Sequence, residues 1–331
     1  MSRVTALPGF ELAGYTPSAL HKGDQLWVEK NCYVDVWIEV LHALGHQPLA
    51  MLPFASTIDF LGDQWTFFKP KHGEMMDLYG VDVQELTVWR PLIEHAMEHL
   101  QAGRMIATEA DAFWLPDTAG TDYRRTHTKS SIVIVEVDLQ TQHMVYFHNA
   151  GCFELSGEDF QRTFRIGAEP DPSFMPLFAE FIRLDSQVHL DAQTLRHMSV
   201  ELWRRYVPRR PKRNPVQAFG DAFVRELPRL HELGMPYYHA WAFATVRQLG
   251  AAFELSAANC RWLAEGELGT QSVEWQEAQS HFEAIAAECK AWILKLARAV
   301  NSRRDPQLAA RFDVLAEHWA QGFASVERAI G

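Results

Sequence analysis

Apolar residues recur at helical spacing after Asn31, where Tyr33, Val34, Val36, Trp37, Val40, Leu41 and Leu44 form one stripe and Gly45 follows as a stop. Asn31 suits the N-cap position, which places Cys32 in the first turn. Beyond this helix the pattern alternates. Residues 49–55 and 64–69 read as extended, 74–79 as a short helix ended by Gly80, and 83–89 as a strand. Pro91 opens a helix that runs to about Ala102 and closes at Gly103. Strands are then expected over 105–115, 131–138, 144–148 and 178–184, with Leu139 to Gln142 as a hairpin turn.

From about Asp191 the period changes to long amphipathic stretches: 195–207, 216–233, 238–263, 273–300 and 306–330. They predict a set of antiparallel helical hairpins. The fold class is therefore α+β, with a first domain over residues 1–185 and an all-α domain over 186–331. The connecting linker falls either at the Pro-rich 168–176 or at 207–215.

Composition narrows the class. The 331 residues are 47% hydrophobic and 22% charged, ordinary values for a soluble globular chain. A net charge of −11 argues against general nucleic-acid binding, which calls for a basic face. No apolar run is long enough for a bilayer and no signal peptide is visible, so no membrane and a cytoplasmic location are expected. Cys32, Cys152, Cys260 and Cys289 are scattered without CxxC spacing, as in a reducing compartment.

The candidate chemistry starts at Cys32. Unpaired N–H groups and the helix dipole at a first turn favour a thiolate, the reactive form of a nucleophilic cysteine. His127 precedes one strand-like run and Asn149 ends the next, so two adjacent antiparallel strands could bring base and orienting group together. His148 is the rival base. Asp111, a carboxylate within an apolar strand, could orient His127, hold a substrate amine, or pair with Arg124 or Arg125. Gln64 or Gln25 could donate to an oxyanion, and Trp65, Phe67 and Phe68 could wall an acyl pocket or simply fill a core. His95, Glu98 and His99 match H-x-x-E-H, but all three fall off the helix's apolar face, toward water, so no metal site is expected. Arg204, Arg205, Arg209, Arg210, Lys212 and Arg213 make a basic cluster that could dock an acidic partner or be a solvated linker.

Several longer motifs carry a resemblance. They are Asn31-Cys32, Gly62-Asp63-Gln64-Trp65-Thr66-Phe67-Phe68-Lys69, Asp111-Ala112-Phe113-Trp114-Leu115-Pro116-Asp117, Asp122 through Lys129, and Phe147-His148-Asn149-Ala150-Gly151. This first half resembles a bacterial family of unknown function, similar in layout to the N-terminal domain of butirosin biosynthesis protein H, a papain-like acyltransferase. The resemblance implies a papain-like domain, in which a Cys-bearing helix packs on an antiparallel sheet. It also implies that an acyl or aminoacyl thioester on the phosphopantetheine arm of a small acidic carrier protein is the donor, an amine the acceptor, and no cofactor is bound. In the butirosin-type pattern a His stands immediately before the apolar strand; here Ser130-Ser131 stand there and His127 lies further upstream. The reading is an acyltransferase working through Cys32, with two rivals: a cysteine peptidase or amidase using water, and a carrier-binding module without chemistry.

Overall fold

The computed structural model describes residues 3–23, 25–169, 175–266 and 271–331. In chain order the elements are β1 (Arg3–Thr5), α1 (Cys32–Ala43), β2 (Phe60–Leu61), β3 (Gln64–Trp65), α2 (His72–Tyr79), β4 (Asp82–Glu85), α3 (Leu92–Gln101), β5 (Met105–Asp111), β6 (Lys129–Asp138), β7 (His143–His148), β8 (Gly151–Ser156), α4 (Glu158–Phe164) and β9 (Ala179–Arg183). Five helices follow: α5 (Ala192–Tyr206), α6 (Pro215–Ala244), α7 (Val246–Ala264), α8 (Ser272–Ser302) and α9 (Ala309–Ile330). The architecture is a sheet domain of mixed helix and antiparallel strand followed by a helical region.

Two compact units form, and the chain moves between them more than once. The first comprises residues 1–22, 31–48 and 71–189; the second comprises 23–30, 49–70 and 190–331. The first unit is a seven-stranded antiparallel sheet in the order β4-β9-β5-β6-β7-β8, with β1 pairing the far end of β6. α1 packs on β6, β7 and β8. It forms where the sequence places it: the Asn31 side chain accepts the Val34 N–H at 2.9 Å, and the helix stops at Leu44 with Gly45 in the left-handed region. Val34, Val36, Trp37, Ile38, Val40 and Leu41 are all buried.

Asp35 and Glu39 are buried on the same helix, one turn apart. Both reach His21: Nε2 meets Asp35 Oδ1 at 3.1 Å and Nδ1 meets Glu39 Oε1. Tyr15 donates its hydroxyl to Glu39, and the Ser18 N–H donates to Glu39 Oε1 at 3.0 Å. Burial and the Glu39 carboxylate push the Tyr15 phenol up, so it stays a donor. This network staples the irregular 15–21 segment to α1.

Several elements depart from the periodicity reading. Residues 48–57 wind as 3-10 turns rather than a strand, and 64–69 contributes only the two residues of β3. A short apolar run carries no period of its own, so helix and strand are not separable there. The stretch read as one helix over 238–263 breaks at Thr245, and α6 is kinked at Gly234, where φ is 69° and ψ is −158°. β8 and α4 follow the hairpin of β6 and β7 and escaped the reading. Of the two candidate linkers, 207–215 winds partly as a 3-10 turn, and residues 170–174 of the other lie outside the described residues.

In the second unit α7 is buried on nearly every side. Asn259, on α7, accepts from Trp203 Nε1 at 2.6 Å and donates to Leu49 O and Ser199 Oγ at 2.8 and 2.9 Å. The short segment 23–30 is held on the same helix. Glu254 accepts the Leu26 N–H at 2.7 Å and the Trp27 N–H at 3.1 Å. The Trp27 ring lies on Gly250, where a Cβ would come within 2.7 Å of it, and Lys290 covers the ring at 4.6 Å. Lys30, buried, faces Glu254 Oε2 at 3.8 Å. Trp27→Ala is expected to cost about 3–5 kcal/mol, the range for emptying a buried aromatic site. Gly250→Ala should displace the same ring. Urea titration followed by tryptophan emission checks both.

Candidate active site

Pairing partners on adjacent strands share a face, and successive residues alternate. Ser131 opposes Glu109 and Lys129 opposes Asp111, so these four side chains share one face of the sheet. Ser130 opposes Ala110, and Ile132 opposes His148, so Ser130 and His148 share the other face. Cys32, the first residue of α1, meets Ser131 Oγ through its Sγ at 3.6 Å and is half-buried. The thiol therefore lies on the face of Ser131, Glu109 and Asp111.

His127 sits at the end of that same face. Its Nδ1 is 2.6 Å from Asp111 Oδ2, and its ring stacks on Phe113 at 4.4 Å. The His127 side chain is 69% exposed, leaving Nε2 toward solvent. Asp111 is thus the carboxylate that meets His127, whereas Asn149 occupies the tip of the β7–β8 hairpin with φ of 42°, a turn position that Asn tolerates. Between the two halves of the face, Lys129 pairs with Glu109 at 2.7 Å. The rung of Ser131 and the rung of Asp111 are two residues apart, about 7 Å along the strand.

The rival base, His148, is buried on the opposite face. Its Nε2 is 2.6 Å from Ser130 Oγ and its Nδ1 is 2.6 Å from Asp117 Oδ2; Tyr146 donates to Asp117 Oδ1 at 2.5 Å. The connectivity is that of a serine–histidine–aspartate relay. Ser130 nevertheless lies within a strand ladder and is buried, without the exposed strand-to-helix elbow that presents an acylating serine. The relay satisfies buried polar groups and fixes the Asp117 segment to β7. Tyr146 and His148 stand at alternate positions of β7, which was the available signal.

A third imidazole–carboxylate pair was not anticipated. Tyr33, next to Cys32 on α1, donates to Glu180 Oε2 at 2.9 Å and meets His72 Nε2 at 2.9 Å, while His72 reaches Glu180 Oε1 at 3.1 Å. Burial and Glu180 push the Tyr33 phenol up. Glu180 opposes Ala107 and so belongs to the face of Cys32.

Gln25, Gln64, Trp65, Phe67 and the basic cluster lie in the second unit. Gln25 belongs to the 23–30 segment, and Gln64 is exposed in β3. Trp65 is buried against Phe60 at 5.1 Å and Phe219 at 5.6 Å, a core position, and Phe67 is 56% exposed. His95 corrects the reading of the H-x-x-E-H helix: it is buried, takes the Trp89 N–H, and does not face water. His99 stacks on Phe181 at 5.3 Å, its basicity lowered by burial and then by Arg104, and Glu98 pairs with Arg90. Three-residue groupings able to hold a metal are absent among the described residues. Within the basic cluster, Arg204 donates to Ile330 O at 2.7 Å, Arg210 pairs with Glu327 at 2.6 Å, Arg209 lies over the Tyr206 ring, and Arg205 is also engaged.

Among the described residues, no helix is long and apolar enough to cross a membrane. Residues 16–184 match the model of the DUF1839 N-terminal domain, and residues 192–328 match that of the DUF1839 C-terminal domain. Among curated proteins none matches the chain.

Two outcomes follow from this geometry. Burial pushes the Cys152 thiol up to about 12 and raises Cys260 and Cys289 as well, so at pH 8 these three stay protonated. Iodoacetamide should therefore modify Cys32 first, as read by peptide mass mapping. Asp117→Ala, which strands the buried His148 and Tyr146 groups, should lower stability by about 3–5 kcal/mol in urea unfolding.

Proposed function

The chain belongs to the DUF1839 family, whose function is unknown, and on that footing we propose that it is a thiol-dependent acyltransferase. The observation that carries this reading is one sheet face bearing both a half-exposed cysteine at a capped helix N-terminus and an imidazole oriented by a carboxylate. The donor is an acyl or aminoacyl thioester on the phosphopantetheine arm of a small acidic carrier protein, and the acceptor is an amine. The Cys-bearing helix on an antiparallel sheet, with β6 and β7 supplying the partner strands, supports a papain-like assignment of the first unit.

In the first step the Cys32 thiolate adds to the thioester carbonyl. The carbon–sulfur bond to the carrier breaks, and the phosphopantetheine thiolate leaves and takes up a proton. One thioester replaces another, so little free energy changes at this stage. In the second step the amine adds to the Cys32 acyl group, its proton passes to Nε2 of His127, and the Cys32 sulfur leaves. Asp111 on Nδ1 keeps Nε2 the basic nitrogen and stabilises the imidazolium. The thiol meets Ser131 rather than the ring, so the reaction requires the His127 ring and Cys32 to approach one another along this face.

That same contact favours a second reading, a carrier-binding module without chemistry, because Ser131 occupies the place beside the thiol. One experiment separates the two. The chain is mixed with an aminoacylated carrier protein, quenched in acid and weighed intact, with and without an amine. The acyltransferase gives an acyl adduct on Cys32 that the amine discharges. Cys32→Ala should give neither adduct nor transfer, and His127→Ala should slow discharge about 10²–10⁴-fold. Transfer that survives Cys32→Ala defeats the covalent route. Carrier binding with no adduct establishes the second reading, and discharge by water as fast as by amine makes the protein a hydrolase.

A further inference from the structure

α8 and α9 run antiparallel, and rungs of polar side chains tie them together. Glu288 meets Arg311 at 3.6 Å, His281 meets His318, and Glu277 meets Ser325 at 3.2 Å and Arg328 at 2.5 Å. The helix spacing is set at Gly322, where a Cβ would come within 2.5 Å of the Phe282 ring, and at Phe323, whose ring meets that of Phe282 at 5.8 Å. Two backbones packed this closely leave the rim side chains little room to part. The middle rung joins two imidazoles rather than opposite charges. Nδ1 of His281 lies 2.9 Å from Nδ1 of His318, the ring centroids are 5.2 Å apart, and both side chains are half-buried.

Only one hydrogen fits between two nitrogens at that separation. In the uncharged pair one ring donates from Nδ1 and keeps a lone pair on Nε2, while the other accepts at Nδ1 and carries its hydrogen on Nε2. A first added proton goes to the free Nε2 of the donating ring and leaves the bond intact. A second can go only to the accepting Nδ1. It then turns two N–H groups and two positive charges against each other. The result is the same whichever ring donates.

The surroundings also resist that second charge. Burial first, and the facing His318 next, hold the His281 imidazole below its ordinary basicity. Glu277 and Glu317 act the other way, and Arg328 adds to the lowering. Charged groups on the neighbouring elements are engaged elsewhere: Arg261 of α7 with Glu283, Arg204 of α5 with Ile330 O, and Arg210 with Glu327. α6 meets the two helices at Ile293 and Phe312, more than one turn along from the imidazoles.

We propose that His281 and His318 form an acid-released latch between α8 and α9. Above neutrality the two rings share one hydrogen and hold α9 in place; when the second proton binds, the rings part and α9 loosens from α8. The sign follows from the lowered basicity. The folded chain takes this proton less readily than the unfolded chain, so the stabilisation is complete above the ordinary histidine value of about 6.5 and is lost as pH falls through the lowered one. The latch lies within the second unit and requires no chemistry at Cys32, so its test is independent of the acyltransferase reading.

Amide hydrogen exchange of the full chain at about pH 7.5 and about pH 5, corrected for the intrinsic pH dependence of exchange, tests this on peptides from α9. In the wild type these peptides should exchange at least about tenfold faster at the lower pH, the equivalent of one pH unit of coupling. His318→Gln and His281→Gln each leave one imidazole with no charged partner to repel it. Both should lose the acceleration, and the remaining ring should titrate nearer its ordinary value by NMR. Acceleration that persists equally in both variants, or α9 protection that does not change with pH in the wild type, overturns the proposal.

Discussion

Two carboxylates inside an apolar, buried helix set the terms for the first unit. Isolated ionised groups in such surroundings would be costly by many kcal/mol, and Asp35 and Glu39 avoid that cost only because His21, Tyr15 and the Ser18 amide come to them. The irregular 15–21 segment is fixed in place by this demand, and α1 is fixed with it. The helix that this network ties down is the one that carries Cys32 against Ser131.

The sheet sorts its polar groups by face. On one side stand Cys32, Ser131, the Lys129–Glu109 pair, the His127–Asp111 pair and the Tyr33–His72–Glu180 triangle. On the other, Ser130, His148, Asp117 and Tyr146 close on themselves in a buried relay. Period-two alternation is the cause: Ser130 and Ser131 are neighbours in sequence and look in opposite directions. The helix dipole adds a second polarity, with N–H donors at the cysteine end of α1 and carbonyls at its other end.

Legibility in the sequence followed signal strength. α1, α2 and α3 emerged because apolar positions at helical spacing ran up to a glycine stop, with Asn31 as a cap for α1 and Pro91 opening α3. The hairpin of β6 and β7 emerged because two β-branched and aromatic runs flank a short polar turn. Residues 48–57 did not, since a short apolar run fits either period. His95 was misplaced because helical-wheel reasoning sees one helix and not the Trp89 segment that folds over it. Asp111 was singled out as an unusual strand carboxylate, and its bond to His127 gives it the partner such a group requires. The Glu180 triangle was out of reach, because it joins three elements far apart in the chain.

The family models divide the chain in order, first half and second half, while the compact units trade segments 23–30 and 49–70. Trp27 fits a hollow that exists only because position 250 lacks a side chain, and Glu254 recognises the backbone of the same strap. The second half thus carries the template for a piece of the first. A first half joined to a second half that carried a side chain at position 250 would have no seat for its tryptophan.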